Sequence, residues 1–406
     1  MGVYRDLRSS QGVYRVLIAQ LVARFPWGMT SLIILLHVEQ LFHRYTEAGI
    51  ALAASSISAA VAGPVLSRMM GKYGMRPVLA VSTLVTACAL LAIAYAPANI
   101  IWIVAAAIVS GFAPPVAPAA RTIYPKMVPG KQLSALYALD AAAQEIIWVI
   151  GPVVAVFTAV QFGPPWGLTI AVLILILGTT WFLSNPEVSR VAIPTARRRF
   201  GAVLTRKTVL FATLTGFAFI TAYAALEAGI VAIYGHEGLE GGVLLGMSAA
   251  ASLLGGVFMG HRALHKWSLP SRLGIVTIGI VMCIFSTNFW WLAAWLMVAG
   301  FGMAPALASI ASLISSTVKF SETAEAFGWS NTGQLIGAAL GSALAGVFID
   351  SLGPTGAFVV AAVAGALTVF ISLLAIPVVP DLRGRDASPI ADTEQFTAIT
   401  PPEAIG

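Results

Sequence analysis

Four charged side chains interrupt the long apolar segments of this chain: Arg24, Asp140, Glu145 and Glu227. A charge in an apolar interior is costly, so such residues usually have a function. A carboxyl group there can take up and release a proton, and a guanidinium group beside it stabilises its ionised form. These residue types therefore indicate proton transfer or the binding of a charged ligand.

The segments that carry these charges belong to twelve apolar stretches, each long enough to cross a bilayer as a helix. Hydrophobic residues make up 58% of the 406 residues and charged residues 10%, whereas a soluble domain carries about 25% charged residues. Little length remains for a catalytic domain, so we do not expect an enzyme. We place the spans at residues 14–38, 47–70, 77–96, 99–122, 134–160, 165–184, 208–233, 241–262, 271–287, 289–316, 325–349 and 354–378.

Basic residues are unevenly distributed between the two ends of these spans. With the N-terminus inside, all but two of the 23 Lys and Arg residues lie in cytoplasmic segments; Arg44 is outside and Arg24 is within a span. Lys and Arg near span ends are retained in the cytoplasm. We therefore predict a multi-pass protein of the inner cell membrane with both termini cytoplasmic. The net charge of +6 then reflects topology and contact with anionic lipids, not nucleic-acid binding.

The spans divide into two related halves around a long basic interruption. Short motifs recur across it, for example around Pro115 and Pro305, which are 190 residues apart. Gly151 and Gly341 have the same offset. Two parallel six-helix halves are typical of a large class of secondary transporters. We predict one bundle at 1–184, a cytoplasmic basic linker at 185–207, a second bundle at 208–378 and a disordered cytoplasmic tail at 379–406.

The loop between spans 2 and 3 resembles the signature of the major facilitator superfamily, and the resemblance covers about residues 10 to 380. The family pattern is G-x-x-x-D-R-x-G-x-R, and this chain has Ser67-Arg68-Met69-Met70-Gly71-Lys72-Tyr73-Gly74-Met75-Arg76. Gly71 stands where the family has an Asp that helps to latch the cytoplasmic side. The Gly151-Pro152 pair in span 5 is similar to an element of the drug–proton antiporter branch.

This resemblance implies an all-α integral membrane protein, with twelve transmembrane helices in two pseudo-symmetric six-helix bundles that work by alternating access. It favours proton-coupled export of a small, largely apolar compound by a monomer in the lipid bilayer, without a cofactor. Proton-coupled uptake of a nutrient or vitamin is the alternative, and a non-transporting membrane sensor is another. The sequence shows no Gly-rich phosphate loop for ATP, and its histidines lack metal-ligand spacing.

The candidate proton-coupling residues are Arg24, Glu145 and Glu227. Arg24 and Glu145 each lie about eleven or twelve residues into their spans, close to the midplane. We predict that they form an ion pair that changes during transport; a static pair that joins two helices is the alternative. Glu227, the one acid at depth in the second half, is a proton site or a site for a cationic substrate. The alternative for Glu227 is a position in a wet outer vestibule.

The candidate gate residues are Asp140, Lys72, Arg76 and Arg121. We expect Asp140 to pair with Arg121, Lys126 or the loop around Arg76, and so to substitute in part for the Asp that is missing at position 71.

The candidate substrate-binding residues are Trp27, Trp148, Tyr223, Asn331 and Gln334. Asn331 and Gln334 share a helix face and can hydrogen-bond a substrate, with bonding between helices as the alternative. The aromatic side chains can line an apolar cavity, with plain packing as the alternative. The prolines of spans 4 and 10 predict kinks in both helices.

Overall fold

The described part of the chain, in a computed structural model, comprises Leu7 and residues 12–95, 97–196, 199–234, 240–259, 262, 264–382 and 387–392. These residues fold almost entirely into helices. The first half contains α1 (Val13–Arg24), α2 (Trp27–Phe42), α3 (Tyr45–Tyr73), α4 (Met75–Ala94), α5 (Ile100–Ser110), α6 (Val116–Met127), α7 (Gly130–Phe162), α8 (Pro164–Ser184) and the short α9 (Pro186–Arg190). The second contains α10 (Lys207–Tyr234), α11 (Glu240–Met259), α12 (Ser268–Met282), α13 (Phe289–Thr317), α14 (Phe320–Leu352) and α15 (Pro354–Leu374).

These helices account for the twelve predicted spans. Eleven segments of the described chain are long and apolar enough to cross a membrane, with α1 and α2 counted as one. The twelfth span is divided into the shorter helices α5 and α6. The predicted fold class is therefore confirmed. We call the end of the molecule that carries Arg68, Asn185, Arg206 and Glu322 the linker end.

The two halves repeat the same helix contacts. A Cβ atom on Gly151 in α7 would lie 2.8 Å from the backbone of Gly28 in α2, so spans 5 and 1 touch through their backbones. Gly341, 190 residues later in α14, approaches Thr221 of α10 just as closely: its Cβ would lie 2.3 Å from the Thr221 carbonyl oxygen. Small residues permit this close approach between membrane helices. Spans 11 and 7 therefore repeat the packing of spans 5 and 1.

Span 1 is divided in two, which the sequence analysis did not predict. Helix α1 ends at Arg24, and α2 begins at Trp27 after Phe25 and Pro26. Proline has no N–H to donate and is best accommodated at the start of a helix. Arg24, the last residue of α1, and Trp27, the first residue of α2, flank the break.

The prolines of spans 4 and 10 have different effects. The adjacent Pro114 and Pro115 separate α5 from α6, so the predicted interruption of span 4 is confirmed. In span 10, α13 continues through Pro305. The carbonyl oxygen of Pro305 accepts a hydrogen bond of 3.0 Å from Arg272, which also donates to Ser309 at 2.6 Å. Arg272 is buried and fastens α12 to α13.

Part of the C-terminal tail is bound to the fold, in contrast to the disordered tail predicted for 379–406. Ile390 pairs with the strand-like segment before α14, donating to Val318 at 2.9 Å and accepting from Phe320 at 3.0 Å. Asp392 accepts hydrogen bonds from the backbone N–H (3.0 Å) and the hydroxyl (2.6 Å) of Ser321. Residues 383–386 and 393–406 lie outside the described residues. The tail thus caps the first turn of α14.

Replacing Asp392 by alanine is expected to lower the free energy of unfolding by about 1 kcal/mol, because it removes a carboxylate that caps a helix N-terminus. Thermal unfolding of the detergent-purified protein measures the change. Asp350→Ala is the matched control, because Asp350 is exposed near the other end of α14. Equal melting temperatures for both variants would show that the tail contact contributes no stability.

Candidate functional site

A cavity lies between the two halves of the chain, near the middle of the spans. Helices of the first half and α10, α13 and α14 of the second all contribute to its wall. Most of the wall is formed by small or apolar residues such as Ala59, Pro114 and Leu307. The structure brings all the predicted coupling and substrate-binding residues to this wall: Arg24, Glu145, Glu227, Trp27, Trp148, Tyr223, Asn331 and Gln334.

Arg24 is held on the first-half wall by three side chains. Its guanidinium forms an ion pair with Asp140 at 3.5 Å, donates to Gln20 at 2.9 Å and also donates to Gln144. The predicted pair with Glu145 does not form. A helical side chain points back toward the N-terminus of its own helix, and α1 begins at the linker end. Arg24 therefore reaches Asp140, which lies five residues closer to the linker end than Glu145 does.

Asp140 accepts three hydrogen bonds and forms two ion pairs in the interior of the first bundle. Besides the pair with Arg24, its carboxylate accepts from Arg121 Nε at 2.9 Å, Gln20 Nε2 at 2.8 Å and Tyr124 at 3.1 Å. Its side chain is only 1% exposed. One carboxylate thus neutralises part of the charge of two guanidinium groups and joins α1, α6 and α7. We name Arg24, Arg121 and Asp140 the arginine cluster.

The four predicted gate residues are not brought together. Asp140 and Arg121 do pair, as one of our alternatives required. Arg76 instead donates to the carbonyl oxygen of Leu183 at 2.9 Å, and the Lys72 ammonium lies 5.0 Å from the ring centre of its neighbour Tyr73. The prediction that Asp140 meets the loop around Arg76 is therefore wrong, since that loop lies at the surface of the linker end.

Glu145 and Glu227 face the cavity without partners. Within the described residues, neither carboxyl group accepts a hydrogen bond or pairs with a basic side chain. Glu145 is 6% exposed and lies within electrostatic range of Glu227. Tyr223 lies near both, with its hydroxyl 3.1 Å from that of Ser248. One carboxyl group from each bundle thus faces the same apolar space, where two negative charges repel each other.

The cavity is closed at the linker end by contacts between the bundles. Arg68 of α3 pairs with Glu325 of α14 at 2.7 Å, and Thr332 of α14 donates to the Ala60 carbonyl of α3 at 2.8 Å. Nearby, Ser312 of α13 and Ser134 of α7 are 3.4 Å apart. The Arg68–Glu325 pair and the Ser312–Ser134 contact lie between the cavity and the linker end, whereas Thr332 and Ala60 adjoin residues of the cavity wall.

The linker takes part in this closure. Gly201 donates its backbone N–H to Glu325 at 2.7 Å, and the ring of Phe200 lies against Trp329 at 5.6 Å between centres. Upstream, Thr195 donates to the Gly71 carbonyl at 2.9 Å, and a Cβ on Gly71 would lie 2.9 Å from the Pro194 oxygen. Gly71, where the family pattern has Asp, is therefore the place at which the linker backbone packs against α3.

The opposite end of the cavity is open. On that side of the cavity, no hydrogen bond or ion pair joins the described residues of the two bundles. The Arg68–Glu325 pair and the Ser312–Ser134 contact lie on the linker side of the cavity. The described conformation therefore gives access from the end that is opposite the linker.

Several residues of the site were missed in the sequence. Gln20 precedes Arg24 by one helical turn, and Gln144 adjoins Glu145. Polar side chains at such positions signal partners for a buried charge. Arg68 and Glu325 were placed at span ends, and nothing in their spacing indicates that they meet. Their contact depends on how the two bundles are docked.

Twelve spans in two halves, with a cavity between them that opens at one end, define a membrane transport protein. The chain belongs to the Major Facilitator Superfamily, which matches residues 16–279 and 265–401. No curated protein matches it.

Solved structures of transporters share the fold. A bacterial homologue of the iron transporter ferroportin, in an outward-facing state, is 13% identical with a TM-score of 0.72, over 89% of this chain and 98% of that chain. A proton:xylose symporter is 14% identical with a TM-score of 0.71, over 93% and 98%. The human organic anion transporter is 13% identical with a TM-score of 0.66, over 89% and 99%. At these identities the likeness concerns the fold alone.

Proposed function

We propose that this protein is a secondary active transporter that exports a small, largely apolar compound in exchange for protons. The observation that supports this most directly is the pair of partnerless carboxyl groups, Glu145 and Glu227, one on each side of the cavity. A carboxyl group in an apolar site is readily protonated. Movement of the bundles that exposes the cavity first to one side and then to the other carries such a proton across the membrane.

The direction of proton entry follows from the orientation. The positive-inside rule places the linker end, with its many Arg and Lys residues, in the cytoplasm of a cell with an inner membrane. The described conformation is then outward-open, and Glu145 and Glu227 receive protons from outside. Both termini lie in the cytoplasm.

The arginine cluster positions side chains of the cavity wall and does not itself carry the proton. Because Arg24 and Arg121 share Asp140, we assign proton uptake to Glu145 and Glu227 and a positioning role to Arg24. Arg24 holds Gln144, the neighbour of Glu145, on the cavity wall. Trp27, Trp148, Tyr223, Asn331 and Gln334 supply the apolar and hydrogen-bonding surface for the substrate.

The test uses the purified protein in liposomes that contain a pH-sensitive dye. A panel of lipophilic cations, neutral antibiotics, sugars and vitamins is added with and without a proton gradient, and protein-free liposomes are the control. Proton movement opposite to that of the compound supports export by antiport. Movement in the same direction would support uptake by symport, and no compound-dependent proton movement would contradict coupled transport.

The Arg68–Glu325 pair predicts a conformational effect of Glu325→Gln. Glu325 is 3% exposed, and a hydrogen bond to a charged group contributes about 1.5–3 kcal/mol. We expect the ratio of outward-open to inward-open molecules to fall by about tenfold. Electron paramagnetic resonance measures the change as a distance between two spin labels. The labels are placed at the exposed positions 73 and 267 after replacement of Cys88 and Cys283, and their distance reports the separation of the two bundles at the linker end.

The control for this measurement is Glu240→Gln, an exposed acid at the opposite end of the second half. The distance distribution of that variant should match the unsubstituted protein. An unchanged distribution in Glu325→Gln would show that the pair does not hold the linker end closed.

A further inference from the structure

The two carboxyl groups of the cavity have no counter-charge of their own. Glu145 comes from the first bundle and Glu227 from the second, and no described basic side chain pairs with either. Ionised carboxylates that face each other in an apolar space repel, and a cation between them removes the repulsion. We infer that the substrate is an organic cation held between Glu145 and Glu227. This inference rests on the proposed transport function and names its substrate class.

The one basic residue on the described cavity wall does not favour an anion. Arg24 already donates to Gln20 and Gln144 and pairs with Asp140. An anionic substrate would have to displace these partners and would also meet the charges of Glu145 and Glu227. A neutral substrate would leave both carboxyl groups uncompensated whenever they are ionised. Charge complementarity therefore selects a cation.

The remaining wall favours an organic cation over a metal ion. Trp27, Trp148 and Tyr223 line the cavity near the two acids, and aromatic faces attract ammonium and similar cations. A hydrated divalent ion needs about six oxygen ligands, whereas the described residues contain no cluster of three or more His, Cys, Asp or Glu side chains. An apolar cation gains both from the carboxylates and from burial against the aromatic rings.

A cationic substrate accounts for the exchange of substrate for protons. Each carboxyl group can hold a proton or help to hold the cation, but a protonated group no longer attracts a positive charge. Entry of protons from outside therefore releases the cation there, and their departure to the cytoplasm restores the site. Because each bundle contributes one carboxylate, the bound cation also contacts both moving parts.

Binding to the purified full-length protein in detergent tests the inference without transport. The probes are tetraphenylphosphonium, its anionic counterpart of the same shape, tetraphenylborate, and neutral triphenylphosphine oxide; benzyltrimethylammonium is a smaller cation. Isothermal titration gives the dissociation constants. We expect tetraphenylphosphonium to bind at least tenfold more tightly than the anionic and neutral probes. Glu145→Gln and Glu227→Gln should each weaken its binding by about tenfold or more, and the exposed Glu240→Gln should not.

Three results would overturn the inference: equal binding of the neutral or anionic probe, unchanged cation affinity in both cavity variants, or no binding of either cation by the unsubstituted protein. Melting temperatures confirm that the variants are folded. Selective cation binding without proton movement in liposomes would refute the coupling proposal and leave the cation site intact. Proton movement driven only by neutral compounds would refute the cation site and leave the coupling proposal intact.

Discussion

Asp140→Asn is expected to cost the protein about 3–5 kcal/mol of stability and to abolish transport. Removing one partner of a buried ion pair leaves an uncompensated charge. Here it leaves two, because Arg24 and Arg121 both depend on Asp140, and their side chains are only 11% and 14% exposed. The expected result is a sharp fall in melting temperature and in the yield of folded protein, measured by thermal unfolding and size-exclusion chromatography in detergent.

A double variant separates the charge effect from simple loss of packing. Asp140→Asn combined with Arg24→Gln returns the cluster to the net charge it has in the unsubstituted protein. We expect this double variant to be more stable than Asp140→Asn alone, because contacting residues are not additive. Asp350→Asn is the control, because Asp350 is an exposed acid on α14, and this substitution should leave the melting temperature unchanged. A double variant less stable than both single variants would argue against the cluster as a balance of charges.

Glu145→Gln is expected to abolish substrate-dependent proton movement without destabilising the fold. Glutamine keeps the size and polarity of the side chain but cannot carry a proton. Because Glu145 is buried without a partner and lies within range of Glu227, the substitution also removes a repulsion. The melting temperature should therefore stay the same or rise, while the proton flux in dye-loaded liposomes disappears.

Glu227→Gln is the companion variant, and Glu240→Gln is the control that should retain full flux. Loss of proton movement in both cavity variants would support coupling by the two carboxyl groups together. Proton movement that persists in Glu145→Gln would remove span 5 from the coupling site and leave Glu227 as the candidate. A marked fall in melting temperature in Glu145→Gln would instead indicate that Glu145 has a structural role.

Asp140 and Glu145 show how differently two acids of one helix can be used. They are five residues apart in α7, so they point to different faces of the helix. Asp140 faces the interior of the first bundle, where it pairs with two arginines. Glu145 faces the cavity between the bundles. Both variants remove one negative charge, yet we expect the first to lose stability and the second to lose coupling.

The sequence predicted the positions of the helices well, and it failed where partners had to be chosen. Hydrophobic length defines a span without reference to any other span. The twelve spans and the interruption by Pro114 and Pro115 could therefore be predicted from the sequence. The pair Arg24–Glu145 was inferred from equal depth alone. The depth of a residue in the membrane does not determine the direction of its side chain. The Arg24 side chain points toward the start of α1, and at that depth its partner on α7 is Asp140.

The tail and the linker illustrate the same limit. Composition favoured a disordered tail, but Ile390 and Asp392 find backbone partners beside α14. Nothing in the local sequence of Gly71 indicates that the linker packs there. Such contacts depend on surfaces that exist only after the bundles have formed.

The amino-acid sequence by itself determined the membrane class, the twelve spans, the two related halves and the charged residues within the spans. These properties follow from hydrophobic length, internal repetition and the cost of a charge in an apolar interior, which are all local. Only the tertiary structure decided that Asp140 belongs to Arg24 and Arg121, that Glu145 and Glu227 share one cavity, and that Arg68 and Glu325 close its linker end. Each of these depends on the docking of helices far apart in the chain, where displacement by one helical turn exchanges one partner for another.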